Sequence, residues 1–187
     1  MRNAFIFTCA AILLLAFASP VMAENVKMKD NPKCKQWHSF NGEWTEEVEY
    51  RDSPTSAWKK GTLKYQSEWI LGGSFAQIKG QDHKGASFIN KYGYDAHLET
   101  HVGGGFDSHG GRWTIALGGW SGTNWSDNWT AFSPDGKVTF GRCTFEYNSD
   151  FTSQTGECQT FTDGKWWTDR KIKGTKVKQG RLTRNTS

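Results

Sequence analysis

The chain has few cysteines, no surplus of charge of one sign and almost no helical periodicity, and each shortage removes a class of function. Only four cysteines occur in 187 residues, with no C-x-x-C pair and no histidines at zinc-finger spacing beside them. A structural zinc site is therefore not expected. The formal net charge is +4, and Lys and Arg are scattered among Asp and Glu. The lysine-rich pieces "KMKDNPKCK" and "DRKIKGTKVKQGR" lie near the two ends, where they read as solvated tails rather than a nucleic-acid footprint. No Ser–His–Asp grouping or paired-carboxylate motif stands out. "GGGFDSHGG" lacks the following helix that phosphate binding needs, so no catalytic residue is assigned. No repeat, linker or low-complexity stretch divides the chain, which reads as one domain.

The N-terminus carries an address. One positive charge in Met1–Asn3 precedes the apolar run "AFIFTCAAILLLAFA", and "PVMA" offers small residues for cleavage between Ala23 and Glu24. That is the pattern of a secretory signal peptide over residues 1–23; the run is short for a membrane span and no stop-transfer charges follow. A secreted or periplasmic protein results, with no stable membrane anchor after cleavage. Loss of Arg2 leaves a charge of +3, and Cys34, Cys143 and Cys158 remain. An oxidising compartment favours one disulfide. Cys143 and Cys158 flank "TFEYNSDFTSQTGE", two strands joined by a polar turn, and can be bridged across it; pairing of Cys34 with either stays open.

What is abundant is glycine (21) and tryptophan (10), set in short alternating runs. "GEWTEEVEY" puts Trp44, Glu46, Val48 and Tyr50 on one face; "GTLKYQSEWIL" does the same for Leu63, Tyr65, Trp69 and Leu71, and "RWTIAL" for Trp113, Ile115 and Leu117. A period of two with one apolar face marks half-buried antiparallel strands. Gly72-Gly73 supplies a tight turn, and "YDAHLE", "DSHGGR" and "SPDGK" supply others. Nine or ten strands result, an all-β sandwich or closed barrel, with one short helix at "NPKCKQWHSF" capped by Asn31. Past Gly141 the parity changes from Val138 and Phe140 to Phe145 and Tyr147, as a bulge would produce.

Taken in order, "FNGEWTEEVEY", "SEWILGGSF", "KYGYDAHLETHVGGGFDSHGGRW" and "SPDGKVT" resemble the bacterial exported lipocalin-like (calycin superfamily) domains of unknown function, with Gly-x-Trp, W-I-L-G-G and G-Y-D motifs. The resemblance spans residues 37–178, leaving 24–36 and 179–187 as polar segments. It implies an up-and-down antiparallel barrel whose interior suits a small apolar or amphipathic molecule. It brings no catalytic motif and no cofactor. It also implies a structural contact in which Arg170 stacks over Trp44, a cation–π contact worth about 0.5–2 kcal/mol. The Gly103-Gly104-Gly105 run and the Trp-rich stretch 119–129 depart from the family pattern.

The candidate ligand-binding residues are Glu46, Tyr65, Trp69, Asn90, Tyr92, Tyr94, His101 and Trp113, a mostly aromatic set with polar handles. Glu46 shares a face with apolar residues. It reads as a ligand-orienting group or raised-pKa acid, or more plainly as a carboxylate in water at the barrel mouth or paired with a basic side chain. Phe88 alternates onto the same face as the candidates of "SFINKYGYD". "HLETH" on a strand sets His97 and His101 about 13 Å apart, too far to share an ion; haem held by His101 alone stays open. Trp120, Trp125 and Trp129 form a carbohydrate-stacking surface, or belong to a lid or outer strand whose tryptophans tuck into the mouth. The leading expectation is a carrier of a small amphipathic molecule; the alternatives are a carbohydrate-binding surface protein and an enzyme working in the cavity. N-terminal sequencing of the exported protein is expected to begin at Glu24; a start at Met1 would refute the leader assignment.

Overall fold

The computed structural model describes residues 26–179; the expected leader over 1–23 and all but the first residue of the expected tail 179–187 lie outside them. Ten antiparallel strands follow one another around a closed barrel: β1 (Gly42–Tyr50), β2 (Lys59–Ile70), β3 (Phe75–Gln81), β4 (Ser87–Asp95), β5 (Thr100–Asp107), β6 (Arg112–Ser121), β7 (Asn124–Phe132), β8 (Val138–Tyr147), β9 (Ser153–Thr162) and β10 (Lys165–Gln179). Each strand pairs with its sequence neighbour, and β1 pairs with β10 to close the ring. Closure leaves no free sheet edge. Of the two all-β architectures the alternation allowed, the closed barrel is the one observed, with the up-and-down strand order that the resemblance implied. The lysine-rich C-terminal stretch is not a tail: it forms β10, with Ile172 and Gly174 turned inward between exposed lysines.

One end of the barrel is plugged from within. Asn31 Oδ1 accepts from the Lys33 backbone N–H at 2.9 Å and caps a 3-10 turn with Pro32 in its first position, as expected. Helix α1 (Gln36–Phe40) follows and drives Trp37 and Phe40 into the core, 2% and 4% exposed. Trp37 sits 5.0 Å from Tyr92, 5.6 Å from Trp125 and 6.0 Å from Trp120 between ring centroids. Met28 and Cys34 are buried beside it, so the segment read as polar also contributes to the core. Cys34 is a free thiol, and the disulfide joins Cys143 to Cys158, directly opposite each other on β8 and β9.

Register corrects several single residues. In "WILGGSF", Gly72 and Gly73 do adopt left-handed backbone, but Leu71 belongs to the turn and is exposed, not inward. A bulge between Ile115 and Leu117 in β6 keeps Trp113 and Ile115 inside and throws Leu117 out. β8 has the reverse outcome. Its pairing runs without a shift, so no bulge follows Gly141; Val138 and Phe140 simply point to solvent while Cys143, Phe145 and Tyr147 point inward. The stacking of Arg170 on Trp44 is also replaced. Lys176 is Trp44's partner across β1–β10 and its Nζ lies 5.2 Å over that ring, whereas Arg170 pairs with Tyr50, near the opposite end. Trp44 Nε1 donates to Phe40 O at 2.8 Å, tying strand to plug.

Truncating a buried indole at the plug removes transfer energy and leaves a cavity. Trp37→Ala is expected to cost about 3–5 kcal/mol, read as a lowered urea midpoint at unchanged m. A loss below about 1 kcal/mol would show the plug to be peripheral.

Candidate functional site

Between the plug and the opposite rim the strands enclose a cavity of about 350 Å³. Trp37, Phe40 and Trp120 form its floor; Asp82, His83 and Asp107, from the far ends of the hairpins, stand at its rim. Aromatic walls come from Tyr92, Trp113, Trp125, Trp129, Phe145 and Tyr147. The Cys143–Cys158 bridge belongs to the wall as well, and Trp129 Nε1 lies 3.4 Å from Cys143 Sγ.

Besides Asp82 and Asp107 at the rim, two buried carboxyls face this space. Glu46 is 4% exposed; its Oε1 accepts from Tyr65 Oη at 2.8 Å and from Gln154 Nε2. Burial pushes its pKa up to about 7, against hydrogen bonds from Tyr65 and Gln154 and the positive charge of Arg170. It therefore lies neither in water at the mouth nor in an ion pair. Asp127 is 8% exposed and takes the Trp125 indole N–H on Oδ2 at 2.9 Å. Burial raises its pKa too, opposed by that bond and by Arg170. Asp127 Oδ1 and Gln154 Oε1 are buried without a hydrogen-bond partner, as is Asn90 Oδ1. The Arg170 guanidinium lines the cavity, 5.7 Å from the Trp129 ring centroid, with Nε donating to Asp169 Oδ2 at 3.2 Å. At the rim the His83 ring lies 4.3 Å from Tyr50, and burial, helped by Arg170, lowers its pKa to about 4.

Of the eight candidate ligand residues, Glu46, Tyr65, Asn90, Tyr92 and Trp113 line the cavity. Trp69, Tyr94 and His101 do not. Trp69 packs on His38 and against the core cluster that holds the plug, and Tyr94 leans on His101. His101 is 2% exposed, held between Trp37, Tyr94 and Trp125 and hydrogen-bonded to the Gly118 backbone; burial lowers its pKa to about 4. It is walled off from the cavity by the indoles, so the haem reading loses its ligand. No group of three metal-type side chains gathers among the described residues, and His97 and His109 sit in turns.

The Trp-rich stretch 119–129 is strand rather than loop or lid, and its tryptophans do tuck inward, as the lid-or-strand reading expected. It is the β6–β7 hairpin, with Trp120, Trp125 and Trp129 all on the barrel's inner side, so no carbohydrate-stacking platform exists there. Asp127 and Gln154 were missed. Trp125, Asp127 and Trp129 alternate in "NWSDNWT", a period-two signal hidden by the Gly, Ser and Asn around it. Gln154 lay in what read as turn but is the second residue of β9. The three glycines of β5 admit the wall: a Cβ on Gly105 would lie 2.0 Å from Asn90 Oδ1 and 2.8 Å from the Trp113 ring.

No protein-family model matches the chain, and no curated protein matches it. Among solved structures, the crystal structure of Rv2717c from M. tuberculosis superposes with a TM-score of 0.54 at 8% identity, covering 78% of this chain and 98% of that one. The likeness is one of fold. It carries no residue-level correspondence.

The folded pKa of Glu46 lies above its unfolded value, so its proton is held more tightly in the native state. Its contribution to stability is whole below about pH 4.5 and is lost as pH rises to about 7, a fall on the order of 3 kcal/mol. Unfolding titrations of Glu46→Gln and wild type are expected to diverge over that window, the variant gaining relative stability toward pH 8. Parallel pH profiles would place Glu46 in water.

Proposed function

We propose that this is an exported, lipocalin-like barrel that binds and carries a small amphipathic molecule, its apolar part against the aromatic walls and its polar end at Glu46, Gln154 and Asp127. One observation carries the reading: an aromatic cavity of about 350 Å³ whose wall holds buried carboxyl and amide oxygens with no protein partner. A buried polar atom left unpaired costs about 1–3 kcal/mol, and a ligand donor would recover much of that. The volume falls in the usual range for small-molecule sites. Export is supported by the leader pattern and by a disulfide facing the interior.

A second reading, an enzyme using Glu46 as general acid–base, is favoured by a carboxyl poised near neutral pH at the cavity wall. Native mass spectrometry of the protein purified from its host's exported fraction separates the two. A co-purified molecule at fixed stoichiometry, returned unchanged after release and rebinding, is the expected result for a carrier. Chemical conversion on rebinding would make the protein an enzyme. A chain that stays empty when offered amphipaths would sink both.

A further inference from the structure

The outer surface near the open end carries an apolar cluster with no role in the interior. Phe132 and Val138 face each other at the β7–β8 turn, and Phe140, Phe161 and Trp166 continue the patch across β8, β9 and β10. Val138, Phe140, Phe161 and Trp166 are 47%, 52%, 39% and 41% exposed, and Phe106 on β5, paired with Arg112, is 64% exposed. The Phe161 and Trp166 rings touch at 5.2 Å between centroids. Barrel closure leaves no edge that these side chains need to protect. Contiguous exposed apolar surface of this kind marks an interaction site.

The charges in and around the patch choose the partner. Arg142 lies 4.5 Å over the Trp166 ring and Arg112 lies 4.8 Å over the Phe132 ring, each guanidinium borne on an aromatic face. Lys137 and Lys165 stand in or beside the neighbouring turns. Against these four cations are Asp135, engaged by Ser133 Oγ and the Lys137 N–H, Asp163, and Asp107 beside Phe106, whose Oδ1 accepts from the His109 and Gly111 N–H groups. Aromatic rings interleaved with arginine and lysine suit a bilayer interface, where rings enter the headgroup layer and cations meet anionic lipid. The patch borders the rim formed by Asp82, His83 and Asp107, so a docked barrel would hold its mouth beside the headgroups.

We infer that the outer face of β7–β10 at the open end, built on Phe140, Phe161 and Trp166 with Arg112 and Arg142, docks reversibly on an anionic lipid surface. This goes beyond ligand carriage, and stands or falls whether or not the cavity is filled.

The test is flotation of the exported protein with vesicles of phosphatidylcholine alone and of phosphatidylcholine with equimolar phosphatidylglycerol. Binding to the anionic vesicles is expected, weakened by added salt. The double variant Phe140→Ser/Phe161→Ser, altered only on the solvent face, is expected to bind about tenfold more weakly with an unchanged urea midpoint. Arg112→Gln/Arg142→Gln is expected to erase the preference for anionic over neutral vesicles. Flotation equal on both vesicle types, or unaffected by the serine variant, would overturn the inference. So would a vesicle-free dimer, seen by light scattering and abolished by the serine variant, which would assign the patch to a second copy of the chain.

Discussion

Trp37 is the side chain on which the rest depends. A ten-stranded barrel encloses more space than its own inward side chains fill, and without a plug its interior would be wet from both ends. Trp37 enters at one end on a single helical turn, and its ring meets Phe40, Tyr92, Trp120 and Trp125. That aromatic layer floors the cavity and walls off His101 behind it. It also anchors β1, since Phe40, three residues on, takes the Trp44 indole N–H on its carbonyl. The closed end owes its dryness to packing, the open end its access to the hairpins' length.

The interior then carries a polar group at a cost. Glu46 is 4% exposed, and Tyr65 and Gln154 together offset only part of the lost hydration, which is why its proton is retained to about pH 7. Asp127 is held in the same way by the Trp125 indole. Arg170 lies near both and stabilises their charged forms without bonding to either. A barrel filled for stability alone would place leucines there. Retaining two carboxyls, a guanidinium and two amides around a cavity makes sense where something polar has to be recognised inside.

Much of this was legible. Alternation named the strands and the inward faces of β1 and of the first half of β2. Asn31 and Pro32 named the plug's first turn, and Cys143 and Cys158 named a bridge across one hairpin. Two of the errors share one cause. A strand's faces follow from parity only while pairing holds, and a single bulge or turn residue reverses them. Leu117 went outside past the β6 bulge, and Leu71 went outside because the turn began one residue early. Val138 and Phe140 misled in the opposite sense. Their apolar character read as inward, but they are exterior residues on an unbroken strand.

By itself, then, the sequence determined the local terms: period-two strands, glycine turns, the capped 3-10 turn and the oxidisable cysteine pair, all of which depend on neighbours along the chain. Which residues share the cavity was decided only by the ring's closure. Glu46 meets Gln154 across more than one hundred positions of sequence, and Lys176 rather than Arg170 covers Trp44, because β10 pairs with β1 in one register. That register is chosen by the summed fit of ten strands around a closed circuit, a quantity no single stretch of sequence contains.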